Sequence, residues 1–128
     1  MDKFFARFAS VAYTLMRFFF GFLFAFHGTQ KLFGMFGGNM AGSTLMWVAG
    51  IVEFFGGLAI ALGFLTPYMA FLAAGQMAVA YFSAHAPRDP WPILNGGELA
   101  LLYLFGFLYI MTHSSGRLSV DALIGRKV

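Results

Sequence analysis

The sequence predicts an all-α integral membrane protein, folded as an antiparallel four-helix bundle, and three observations predict it. Four continuously apolar stretches, at about residues 10–33, 45–65, 67–86 and 93–113, fill most of the 128 residues. Each is near the roughly twenty residues a helix needs to cross a bilayer. Hydrophobic residues make up 60% of the composition and charged residues 10%, with a mean hydropathy of +0.78, far from the mixture of a water-soluble domain. The stretches do not alternate as barrel strands would, so their backbone groups must be satisfied inside helices. Four spans leave nothing for a soluble domain, and the chain reads as one transmembrane domain, 1–128.

The first span, 10–33, is expected to be retained. Lys3 and Arg7 resemble the positive start of a signal peptide, but Arg17 interrupts the apolar run, and His27 and Lys31 stand where a small-residue cleavage site would be needed. Phe4, Phe5 and Phe8, with Lys3 and Arg7, suit a short amphipathic lead-in lying in the headgroup plane. The second and third spans meet at Thr66-Pro67, and the fourth follows the Pro87–Pro92 loop. Lys3, Arg7, Arg117, Arg126 and Lys127 lie on the side shared by both termini, against Lys31 and Arg88 opposite. That bias places both termini of a multi-pass membrane protein in the cytoplasm. The net charge of +3 expresses the same bias; no basic run interleaved with aromatics points to nucleic acid.

Cysteine is absent, which removes disulfides, thiol relays, iron–sulfur ligation and thiolate metal sites. The histidines fall on separate helices without His-x-x-x-His or Glu-x-x-His spacing, so no metal site is expected. Gly37-Gly38 follows no strand and reads as an outer loop, not a phosphate cradle.

Charge inside the spans carries the functional signal, because ionisable groups in hydrocarbon persist where they are paired or functional. Counted at about 1.5 Å per residue, Glu53 lies roughly 12 Å and Glu98 roughly 8 Å from the outer surface. His27, Lys31, His85 and Asn95 reach the same layer. By helical phase, Arg17, Gly21, Phe24, Gly28 and Lys31 form one stripe of span one, and Gly50, Glu53 and Gly57 one face of span two. Asn95, Glu98, Leu102, Phe105 and Tyr109 are expected to share the inward face of span four. Gln76 stands about half a turn out of phase with His85 and is assigned to another neighbour. Pairs that only fix helix register would explain one such ion pair; three basic and two acidic groups exceed that need. Among eighteen Phe, five Tyr and two Trp, only Phe24, Phe105, Tyr103 and Tyr109 are placed to line an inner cavity.

Taken in order, Arg17 with Gly21, His27-Gly28-x-x-Lys31-Leu32-Phe33-Gly34, Gly50-x-x-Glu53-x-x-Gly56-Gly57, Gly63, Pro67 and Asn95-Gly96-Gly97-Glu98 resemble the DoxX family of small four-span bacterial membrane proteins. The resemblance covers nearly the whole chain. It implies a relation to the membrane subunit of thiosulfate:quinone oxidoreductase and a place in redox homeostasis near the quinone pool. On that reading the chain is a subunit of a quinone-dependent oxidoreductase, with no covalently bound cofactor. The outer cluster binds a quinone headgroup or small anion: His27 and Glu53 exchange protons, and Lys31, Asn95, Glu98, Arg17 and His85 bind. Electrons then require a protein partner, and the lipid-facing Phe surface suits such a partner or a homo-oligomer. The alternatives are a non-catalytic anchor or assembly subunit and a small-solute or proton pathway.

Overall fold

The computed structural model describes residues 2–128, and the described residues form helices joined by turns. Helix α1 covers Asp2–Ala6 and α2 Ala9–Phe33. Helix α3, Thr44–Leu62, contains a π-helical turn at Val52–Gly56. Helix α4, Thr66–Ala80, continues through a second π-helical turn, Tyr81–His85. Short α5, Pro92–Asn95, precedes α6, Glu98–His113, and α7 is Val120–Leu123.

Local chemistry sets the ends. Helix α2 stops at Gly34, whose φ of 65° an L side chain adopts only with strain; its N–H closes the last turn on Gln30 O at 3.1 Å. The Ser43 hydroxyl accepts from the Met46 N–H at 3.3 Å and starts α3. Pro67 sits in the first turn of α4, where its missing N–H costs nothing.

Consecutive long helices are antiparallel. Gly21 of α2 meets Gly57 and Ala61 of α3, whereas Lys31, nearly three turns on, meets Gly50. A Cβ on Gly57 would lie 2.6 Å from the Gly21 carbonyl oxygen, so the two backbones touch, the usual use of small residues between membrane helices. Helix α4 packs most heavily on α6, through Ala70, Ala73, Ala74 and Met77 on one side and Tyr103, Phe107 and Ile110 on the other. Phe24 joins that core, its ring 4.8 Å from Phe107 and 5.2 Å from Tyr103. The start of α2 and the C-terminal segment meet at one end of the molecule, here the terminal end. The 34–43 loop and the 86–97 connection lie at the other, the far end.

The fourth apolar stretch is not one helix. Gly96, with φ of 74°, breaks it between α5 and α6, and helical phase does not pass through the break. The inward face expected of span four therefore points out: Leu102, Phe105 and Tyr109 are 65%, 64% and 52% exposed. Ala100, Tyr103, Phe107 and Ile110 face the core instead.

Two helices, Ala9–Phe33 and Thr44–Leu62, are long and apolar enough to cross a membrane. Glu98–His113 is apolar but shorter, and α4 is diluted by Gln76, Ser83 and His85.

Candidate functional site at the far end

Gly28 lets the α3 backbone at Phe54 come into direct contact with α2, and that contact carries Glu53 beside Lys31. Lys31 Nζ donates to both carboxylate oxygens of Glu53, at 2.9 and 2.7 Å. Gln76 Nε2 donates to Oε1 at 2.7 Å. Glu53 is 3% exposed, so its charge depends on these donors.

Gln76 is the functional-looking residue that α-helical counting assigned elsewhere. The π-helical turn Tyr81–His85 holds one residue more than an α-turn would. His85 is thereby rotated back over Gln76, and the two share a cavity. The signal is invisible to a 3.6-residue period.

That cavity, about 430 Å³, rises from Glu53 toward the far end between α2, α3, α4 and α6. Phe24, Met77 and Ala100 form its apolar lower wall, and His27, His85 and Tyr103 bring polar atoms to it. The volume lies within the ordinary range of small-ligand sites, and an apolar pocket with a few convergent polar groups is their usual character. The His27 ring stands edge-on to Tyr103, centroids 5.9 Å apart at 90°. His85 Nδ1 is 3.2 Å from the Asn95 carbonyl oxygen, and because a carbonyl oxygen can only accept, the Nδ1 nitrogen carries a proton in this contact.

Three residues expected in the cluster are elsewhere. Asn95 is buried but spent: its amide nitrogen donates to Tyr81 Oη at 3.3 Å and Asp89 O at 3.0 Å, and its oxygen accepts from Gly97 N–H at 2.8 Å. It folds the connection that positions His85 and does not face the cavity. Glu98 opens α6 beyond the Gly96 break, is exposed, and borders a separate apolar groove with Phe20 and Phe105. Its expected depth comes from counting through that break, and its expected direction from the small residues that suggest carboxylates pointing into the bundle.

Arg17 is the third, and it lies at the terminal end. It is 2% exposed and donates through Nε to Ile60 O at 3.0 Å and through its terminal nitrogens to Leu118 O at 3.0 Å, Ala61 O at 3.4 Å and Ser115 O. Its cation thus caps the electronegative C-terminal end of α3 and ties it to the 114–119 segment. The spacing Arg17, Gly21, Phe24, Gly28, Lys31 follows one face of α2, but Lys31 is nearly four turns away.

Beside Arg17, the Asp121 carboxylate accepts from Ser115 Oγ at 2.5 Å and from Leu65 N–H at 3.1 Å, and pairs with Arg126 at 3.4 Å. Burial pushes the Asp121 carboxyl up, but the Ser115 hydroxyl, the Leu65 and Thr66 N–H groups and Arg126 together outweigh it. The net effect holds the group below its ordinary value. Among the described residues no group of three His, Asp or Glu side chains is placed to hold a metal ion.

The DoxX family model matches residues 12–86, the stretch that carries Arg17, His27, Lys31, Glu53, Gln76 and His85. An uncharacterized protein of Haemophilus influenzae is 40% identical over 108 residues, covering 78% of this chain and 81% of that protein. No solved structure matches the chain. The protein is thus an all-helical membrane protein, and it belongs to the DoxX family.

Proposed function

We propose that the protein is the membrane subunit of a quinone-linked redox system and that its far-end cavity holds a quinone headgroup. One observation carries the reading: a buried carboxylate with two donors closes the floor of an otherwise apolar cavity that has room for a ring. A structural ion pair needs no such room. In this role Lys31, held beside Glu53, turns an N–H toward a quinone carbonyl oxygen. His27 and Glu53 exchange the protons that accompany reduction and oxidation of the headgroup. Tyr103 and His85, on the cavity wall, orient it in place of the outlying Asn95 and Glu98. The electrons come from a protein partner docked on the molecule.

All four long helices cross the bacterial plasma membrane in this reading, with the terminal end in the cytoplasm as the Lys and Arg bias requires. Sixteen-residue α6 supplies about 24 Å of rise at 1.5 Å per residue, and α5 with the 96–97 link covers the remainder at the far end. A through-going solute or proton pathway fits poorly. Phe24, Ile60 and Phe107, each at most 1% exposed, fill the interior from the cavity floor toward Arg17.

The test is purification in mild detergent followed by extraction of bound lipid. Quinone at near-stoichiometric amount, lost from the Glu53→Gln protein, supports the reading. Its absence from the parent protein moves the function to an anchor or assembly subunit, whose polar groups only hold helices and a partner in register.

A further inference from the structure

The cavity is not sealed toward the hydrocarbon. The 44–51 part of α3 packs on α2 and stands off α4, and α3 and α4 close on each other only from the Glu53 turn inward. A slot lined by Leu45, Met46 and Ala49 of α3 and by Val79, Ala80 and Ser83 of α4 remains between them. Its rim is mainly apolar, with Leu45 and Met46 on one side and Val79 and Ala80 on the other, Leu45 72% and Val79 63% exposed; the one polar side chain there, Ser83, turns its hydroxyl back onto the Val79 carbonyl oxygen. A vestibule open to water would carry polar residues at its lip; this lip matches lipid chains.

The charge at the base adds a second restriction. Both oxygens of Glu53 face Lys31, so the one cation and one anion on the floor neutralise each other. An anionic ligand would have to break that pair, and bringing an unpaired charge to this depth is costly. An uncharged head with hydrogen-bond acceptors meets the remaining Lys31 proton and the His27 ring without such a cost.

We propose that the slot between 44–51 and 79–84 is a lateral entrance through which an uncharged, long-tailed amphiphile reaches the cavity from the bilayer. Its head rests on Lys31, Glu53 and Gln76, and its hydrocarbon tail lies in the slot on Leu45, Met46 and Val79. The proposal rests on the cavity being the binding site named above. It goes further by fixing the route, the charge of the head and the seat of the tail, and it removes small anions from the candidate ligands.

The chain contains no cysteine, so single substitutions accept nitroxide spin labels directly. The full-length Ala49→Cys and Ser83→Cys proteins, labelled and reconstituted in lipid nanodiscs, report the slot. Phe22→Cys on the outer face of α2 and Gly42→Cys in the far loop give the lipid and water references. Relaxation by oxygen in excess of relaxation by a water-soluble nickel chelate at both slot positions, as at Phe22, is the expected result. Long-chain ubiquinone in the disc should then lower oxygen access at Ala49, as a tail displaces mobile lipid, and the same headgroup without a tail should not. Dominant access of the nickel chelate at Ala49 and Ser83, as at Gly42, overturns the lateral entrance. Lipid-like access with no response to either quinone leaves the entrance standing and overturns quinone as the ligand, so the two readings fail separately.

Discussion

The two ends of this molecule both bury charge, and they use it in opposite ways. At the terminal end, Arg17 spends its guanidinium on carbonyls of two segments, the end of α3 and residues 114–119, and Asp121 is tied to Ser115, Leu65 and Arg126. Its contacts run to the backbone and to neighbours within the tail, and together they lace α3, α4 and the C-terminal segment into one knot. At the far end, Glu53, Lys31 and Gln76 bond to one another through side chains alone, and a cavity of about 430 Å³ lies beside them. Buried charge that grips backbone and leaves no space holds a fold together. Buried charge that grips other side chains beside a cavity is available to a ligand.

The largest effect that would sharpen this contrast is loss of the terminal knot. Arg17→Met should cost at least about 3 kcal/mol, because several charge-assisted hydrogen bonds vanish and carbonyls at the α3 end are left without donors. Thermal unfolding in detergent, followed by circular dichroism, checks it. Arg17→Lys should not restore stability, since one ammonium cannot reproduce the guanidinium's fork of donors to four carbonyls on two segments. A ligand-binding Arg17 would instead lose binding with stability unchanged.

Next comes the joint between the ends. Gly57→Val places branched carbons against the Gly21 carbonyl and Ala25 and should destabilise by about 1–3 kcal/mol through overpacking. Separation of α2 from α3 would also pull Lys31 from Glu53, so quinone retention should fall along with the melting temperature.

At the far end the expected pattern is reversed. Glu53→Gln keeps size and leaves Lys31 without its counter-ion, but the Lys31 side chain is 22% exposed and can turn its ammonium toward the far surface, so the melting temperature should fall less than for Arg17→Met while quinone affinity falls by about tenfold, the loss of one charge-assisted contact. Equal binding by Glu53→Gln and parent would place Glu53 in the same class as Arg17.

Acid titration gives a smaller, signed effect confined to the terminal end. The folded-state pKa of Asp121 is depressed, so its contribution to stability is fully present above the ordinary carboxyl value of 3.8 and is lost as pH falls through the lower folded value. The melting-temperature gap between parent and Asp121→Asn should therefore be widest at neutral pH and shrink at the acid end. A gap that does not change with pH would break the argument.

The last test leaves stability alone and asks only which end faces out. Gly42, with open space around it, and Val128, exposed at the terminal end, accept cysteine without crowding. Gly38 is unsuitable because a Cβ there would strike Gln30. An impermeant thiol reagent added to intact cells should label Gly42→Cys and spare Val128→Cys; the reverse would invert the proposed topology.

Much of this was legible in the sequence because it depends on composition and on local period. Apolar run lengths mark the long helices, and Lys31 and Glu53 stand out as charges within them. Gly21, Gly28 and Gly57 mark the α2–α3 contact, since close approach needs small residues at helical spacing. What was not legible depends on where the period fails. Glu98 and the outward turn of Leu102, Phe105 and Tyr109 were misplaced because Gly96 interrupts the helix, and a glycine in an apolar run gives no sign of its φ. Gln76 was set aside because a π-helical turn is silent in sequence. Arg17 was grouped with Lys31 because they share a helix face, and a shared face says nothing about the twenty ångströms or so of rise between them. The bonds from Arg17 to Ser115 and Leu118 join residues about a hundred positions apart, and Ser115 meets Asp121 across a turn, beyond any local signal.

The two π-helical turns have a consequence of descent. Each is an α-helix with one residue inserted, and each lies beside the cavity: Val52–Gly56 carries Glu53, and Tyr81–His85 carries Ser83 and His85. Removing one residue from either turn would regularise the helix and rotate everything beyond it by about 100°, a single α-helical step. The cavity can therefore be gained or lost by a codon-sized change in length, with composition and hydropathy untouched. Relatives that align here with a one-residue gap in either turn should keep the Arg17 knot and the overall fold yet lack the site, and that gap is the mark by which the family could be divided into chains that bind and chains that only anchor.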